Sequence, residues 1–211
     1  MARWQTIFLQ LSSLLLLTSC AYQKLNKQNT SGKALLNTKA LQPLIPSNNQ
    51  SAKYKAEIDV LTKHFTGIVV LKQTDESTSH IVFVTELGMR MFDFVVKGDS
   101  VKADFVFDAL NKPQFVNMLT SSFRDILLIP VYNKEVEEKS NKLGTYYWLK
   151  DRERSFAVWK QTGNFAKHTQ VFNGKKKSSQ AKYEANYSLV KYKQKGLVKL
   201  KINLIKIDET K

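Results

Sequence analysis

A chain of 211 residues can build one domain with a sizeable core or at most two small ones, and 43% hydrophobic with 24% charged residues is ordinary for a globular fold. With 33 Lys and Arg against 18 Asp and Glu, the formal charge of +15 favours anionic partners, whether nucleic acid, acidic lipid headgroups or envelope polymers. The single cysteine, Cys20, excludes an internal disulfide framework.

The first nineteen residues narrow that choice. Residues 1–19 open with Arg3, continue through an apolar run from Ile7 to Leu17, and end in small residues before Cys20. The pattern predicts a secretory signal, because the apolar run is too short for a mature membrane span. Leu17-Thr18-Ser19-Cys20 is similar to the bacterial lipobox, in which the thiol carries the acyl chains that anchor the mature protein. Each buried methylene contributes about 0.8 kcal/mol, so a multiply acylated Cys20 would hold the chain on a membrane stably. Export makes nucleic acid an improbable partner, and no nucleic-acid motif is present. Residues 20–50 are rich in Asn, Gln, Ser, Thr and Lys, with Pro43 and Pro46, and read as a flexible tether before a single domain at 51–211. The absence of an acidic cluster after Cys20 and of Asp at position 21 points to the periplasmic face of the outer membrane.

Tyr54 to Thr62 alternates apolar and polar residues as a half-buried strand does. Phe65-Thr66-Gly67 reads as a turn into Ile68–Lys72. The stretch from His80 to Val96 reads as a hairpin around Glu86-Leu87-Gly88, with apolar residues on both faces, and Val101–Phe107 as a further strand. A two-sided apolar hairpin requires a second layer. Asn111 and Pro113 open a helix in which Phe115, Met118, Leu119, Phe123, Ile126 and Leu127 share one stripe, and Pro130 stops it. Tyr132–Leu143 is charged and reads as a loop. Five more strands are predicted at 145–150, 155–161, 164–172, 181–192 and 197–207, apolar mostly on one face.

These elements make the fold mainly β (α+β): a strongly curved antiparallel sheet or half-barrel of about ten strands, with a helical lid on its concave side. Sheets of this shape commonly enclose apolar ligands. Phe83, Met91, Phe94, Phe105, Phe115, Leu119 and Phe123 are the residues expected to line such a cavity. His64, His80 and His168 are scattered, and neither a metal-ligand spacing, a nucleophile elbow nor a phosphate-binding glycine loop is found. No metal, cofactor or enzymatic activity is therefore expected. Lys175-Lys176-Lys177 is a solvated turn or a contact for anionic lipid.

Together the lipobox, Gly67-Ile68-Val69-Val70-Leu71, the Glu86-Leu87-Gly88 corner and the helix after Val101–Phe107 resemble the LolA/LolB family of lipoprotein carriers and outer-membrane receptors. The hairpin Glu86–Phe94 also resembles a group of uncharacterised envelope lipoproteins. The resemblance implies a cavity for the acyl chains of lipids or lipoproteins, a periplasmic carrier protein as a partner, an anionic membrane surface, and a membrane-inserting tip at Leu87. Two function classes follow: a membrane-anchored lipoprotein that takes up acyl chains and aids their transfer to the outer membrane, or a structural lipoprotein using the same fold to hold proteins or anionic polymer.

Overall fold

The computed structural model describes residues 30–35, 44–46, 50–131, 134–141, 144–151, 153–161, 165–196 and 198–207. Residues 1–19, expected to be a signal segment, Cys20 and most of the stretch expected to be a tether lie outside the described residues. The elements are β1 (Thr30–Leu35), β2 (Ser51–Val60), β3 (Lys63–Gln73), β4 (Thr78–Thr85), β5 (Arg90–Lys97), β6 (Ser100–Val106), α1 (Pro113–Ile126), β7 (Glu135–Asn141), β8 (Gly144–Asp151), β9 (Arg154–Lys160), β10 (Ala166–Asn173), β11 (Lys176–Tyr183), β12 (Leu189–Gln194) and β13 (Leu200–Lys206).

All thirteen strands form one antiparallel sheet, ordered β1-β7-β8-β9-β10-β11-β12-β13-β2-β3-β4-β5-β6. The sheet is open, with β1 and β6 at its edges. Burial alternates strictly along β2, where Tyr54, Ala56, Ile58 and Val60 face the core and Lys53 and Lys55 face out. The same inner row continues through Tyr192 and Ile202 on one side of Ile58 and Phe65 on the other.

Inside the sheet, α1 packs against β6 and β12. It follows the end of β6 and runs back alongside it, so that Arg124, near its C-terminus, donates from Nε to the Asp99 carbonyl in the β5–β6 turn at 2.9 Å. Arg124 also lies 3.7 Å from Asp151 in the β8–β9 turn, and Lys134 lies 2.7 Å from Asp99. Turns from the two flanks of the sheet thus meet at one end of the helix, which requires the sheet to curve around it.

Several expectations are corrected. The sheet has thirteen strands where ten were expected, because Glu135–Asn141 pairs as β7, Thr30–Leu35 pairs as β1, and the run 181–192 is two strands. Between those two, Asn186 and Tyr187 take positive φ angles of 53° and 56° and carry the chain around a corner. Within the stretch read as a tether, β1 pairs with β7 and Leu44 is buried in the core. The first hairpin turns at Leu61-Thr62, and Gly67 lies inside β3. A Cβ there would stand 2.1 Å from the Val84 carbonyl oxygen and 2.8 Å from the Thr85 Cα, so the close approach of β3 to β4 admits only hydrogen. Lys112, not Asn111, precedes the helix, and it provides no side-chain cap. Finally, β8 and β9 are buried on both faces: Tyr146, Trp148, Ala157, Trp159 and Phe172 form a second apolar cluster on the outer side.

Candidate functional site

The interior beneath the helix is aromatic. Phe92 stacks on Phe94 at 4.4 Å between centroids, stands 5.3 Å from Phe83, and meets the edge of Phe123 at 5.5 Å. Phe94 and Phe123 are 6.0 Å apart, and Leu119 is buried in the same cluster. Such ring pairs contribute about 0.5–1.5 kcal/mol each beyond the area they bury. Five of the expected cavity residues, Phe83, Met91, Phe94, Leu119 and Phe123, are therefore together in one packed core. Phe92, absent from the expected set, sits at the centre of the rings. Its role was hidden by a bulge at Met91, which sets Phe83 opposite Phe92 and Val84 opposite Arg90.

Phe105 is not among them. It pairs with Asp93 on the outer face, where the Arg90 guanidinium lies 4.2 Å from its ring centroid. Asp93 accepts from His80 at 2.9 Å on that face.

A polar seam fastens the C-terminal end of the helix. Asp125, only 5% exposed, receives two hydrogen bonds from one Arg154 nitrogen at 2.7 and 2.6 Å and a third from the Ser179 hydroxyl at 3.3 Å. Burial pushes its carboxyl above the usual range, and the guanidinium opposes that shift. Tyr183 donates to the Ile126 carbonyl at 3.0 Å, and Ser122 donates to Gln194 at 2.8 Å. Burial raises the Tyr192 hydroxyl beside this seam to about 12.

The N-terminal half of the helix is held differently. Phe115 and Met118 are half-buried and pack on the core together with Phe65, Val106, Phe107 and Val198. By register, Phe65, Val106 and Val198 lie at the end of the sheet where β2 turns into β3, β4 into β5 and β12 into β13. The β2–β3 and β4–β5 turns and the end of β6 that leads into the helix thus gather half-buried apolar side chains at one end of the sheet. At that end, Leu87 is 93% exposed, Leu61 66% and Met89 45%. The tip is ordered despite its exposure. Gly88 N–H donates to the Thr85 carbonyl at 2.9 Å, Thr85 N–H to Met89 at 2.9 Å, and Met89 N–H to the Thr85 hydroxyl at 3.2 Å. Gly88 takes the left-handed φ of 82° that this turn requires.

On the outer face, a groove of about 680 Å³ is lined by Trp159, His168, Lys160, Lys167, Lys182 and Lys191, among others. Among the described residues, the buried Trp159 Nε1 has no hydrogen-bond partner. Burial, with Lys182 and Lys177 nearby, holds the His168 imidazole below its ordinary value. Among the described residues no group of three or more His, Cys, Asp or Glu could hold a metal ion.

No family model matches the chain, and no curated protein matches it. Among solved structures it is similar to a LolA superfamily protein from Nitrosomonas europaea, at 9% identity and a TM-score of 0.47, over 84% of this chain and 93% of that one. It is also similar to a DUF1329 family protein from Desulfovibrio piger, at 9% identity and a TM-score of 0.41, over 78% and 89% respectively. Likeness of this degree assigns no role to any residue here.

Proposed function

We propose that this protein is a lipoprotein of the bacterial envelope, anchored through Cys20 on the periplasmic face of the outer membrane. It takes up acyl chains of lipids or lipoproteins at this apolar end of the sheet and aids their transfer into the membrane. The observation that carries this reading is the placement of Leu87, an almost fully exposed leucine on an ordered hairpin tip, at the same end of the sheet as the half-buried Phe65 and Val106. A lone exposed leucine means little. Here Leu61 and Met89 are exposed at the same end, and Phe115 and Met118 in the first half of the helix are half-buried. An acyl chain entering there displaces Phe115 and Met118, while the seam at Asp125 keeps the other end of the helix fixed. A periplasmic carrier that presents the acyl chain is the partner this route calls for.

The test compares Leu87→Glu with the parent in thermal stability and in transfer of a fluorescent acylated peptide to anionic liposomes. Unchanged melting with slowed transfer supports the reading; unchanged melting with full transfer refutes it. The tightly packed phenylalanines favour a second reading, a scaffold with a filled core. Failure to take up an apolar fluorophore, combined with recovery of a stable protein partner from the envelope, would favour that one.

A further inference from the structure

The outer face of β11–β13 carries a charge pattern that the proposed transfer role does not use. In register, Lys182 lies opposite Lys191 on β11 and β12, and Lys193 lies opposite Lys201 on β12 and β13. Like charges directly opposite one another destabilise a sheet. This face holds two such pairs side by side, with Lys191 and Lys193 about 7 Å apart along the strand. Lys195 and Lys177 extend the row towards the β12–β13 turn, and burial together with Lys195 pushes the Lys177 ammonium down. None of these six lysines forms an ion pair among the described residues; Lys177 donates to Gln180 at 3.0 Å. Glu184 is the carboxylate lining the first groove, and Asp59, opposite Lys201, is engaged with His64.

The lysines do not stand on a flat surface. They border two recesses, the groove of about 680 Å³ around Trp159 and His168 and a second of about 400 Å³ between Lys177, Lys193, Lys195, Lys199 and Lys201. A planar bilayer does not fill consecutive recesses, whereas a chain molecule does. Lysine ammoniums act as point charges towards phosphate oxygens, and among the described residues no arginine lines these grooves to fork onto a carboxylate. His168, which lines the first recess, has its Nε2 3.0 Å from Gln170 Nε2.

We propose that the outer face of β11–β13 is a binding track for a linear, phosphate-bearing polyanion. Each bound phosphate would offset one like-charge contact, and binding would release counterions as phosphate contacts do elsewhere.

The test titrates the full chain with long-chain inorganic polyphosphate, with orthophosphate, and with phosphatidylglycerol vesicles, each over a series of salt concentrations. The variants are Lys191→Gln/Lys193→Gln on the track and Lys97→Gln/Lys102→Gln off it, with equal loss of charge. Binding is expected to require polyphosphate rather than orthophosphate, with the salt slope reduced by about one for each track lysine removed. The off-track variant should keep the parent's affinity within about twofold. The His168 imidazole should titrate at higher pH with polyphosphate bound. Both variants alter exposed residues, and a cooperative melt at or above the parent's Tm establishes that each is folded, the track variant being relieved of its like-charge pairs. The proposal is overturned by absence of polyphosphate binding, by equal binding of orthophosphate, by equal weakening in the two variants, or by a parallel loss of vesicle binding in the track variant.

Discussion

Replacing Arg154 with Met tests how the helix is held. The substitution keeps a stem of similar length, so it removes the charge that faces Asp125 with little change in bulk. In the parent, Asp125 is 5% exposed and takes two hydrogen bonds of 2.7 and 2.6 Å from Arg154. Removing one partner of a buried pair costs about 3–5 kcal/mol, because the remaining charge is left in a poor solvent. The Arg154 side chain is 27% exposed, so water reaches that flank and the lower end, about 3 kcal/mol, is expected. For a domain of this size that lowers Tm by roughly 6–12 °C. The cost should also depend on pH. Burial already raises the Asp125 carboxyl, and loss of the opposing guanidinium raises it further. A carboxyl with a folded pKa above its unfolded value stabilises at low pH and loses that contribution as pH rises through the folded pKa. Urea denaturation at pH 5 and pH 8 should therefore find Arg154→Met closer to the parent at pH 5. A loss below about 1 kcal/mol at both pH values would refute the seam as the fastening of the helix.

Phe123→Ala should cost about 3–5 kcal/mol in chemical denaturation, since its fully buried ring touches Phe92 and Phe94; a loss near zero would mean the rings do not fill the interior. Gly67→Ala should lower Tm, because its Cβ meets the β4 backbone at 2.1 Å, and an unchanged melt would mean the two strands separate freely. Lys193→Glu, which places opposite charges across β12 and β13, should stabilise by about 0.2–1 kcal/mol in low salt and less in high salt. Cys20→Ala should leave the chain in the soluble fraction or as an unprocessed precursor; normal mature size in the membrane pellet would refute lipid anchoring.

The parts that could be read from the sequence are those where one periodicity acts alone. Tyr54–Val60 alternates because one face meets the core, and the stripe from Phe115 to Ile126 repeats at helical spacing for the same reason. The hairpin at Leu87 was legible from its flanking apolar runs and Gly88. What stayed hidden was decided by partners distant in sequence. Glu135–Asn141 has the composition of a loop and is a strand because β1 and β8 flank it. The bulge at Met91 shifts the alternation by one residue and brings Phe92 inward, while a second bulge at Asp104, between β5 and β6, sets Phe105 opposite Asp93, outside under Arg90. Asp125 looks like an ordinary polar residue on a helix until Arg154, from another strand, arrives beside it. The lysine pairs likewise exist only once β11, β12 and β13 are in register.

The pairing of β13 with β2, which sets Ile202 against Ile58, has a kinetic consequence. Nearly every other neighbour in the sheet is also a neighbour in sequence, so the runs from β2 to β6 and from β7 to β13 can each zip hairpin by hairpin on the microsecond scale. Their common seam must instead close almost the whole domain into a loop, and contacts of that separation form slowly. Until it closes, β2 and β13 are both unprotected edges with apolar inner faces. Lys199, Lys201 and Lys206 on one side, and Lys53 and Lys55 on the other, supply charges that discourage a second chain from pairing there first.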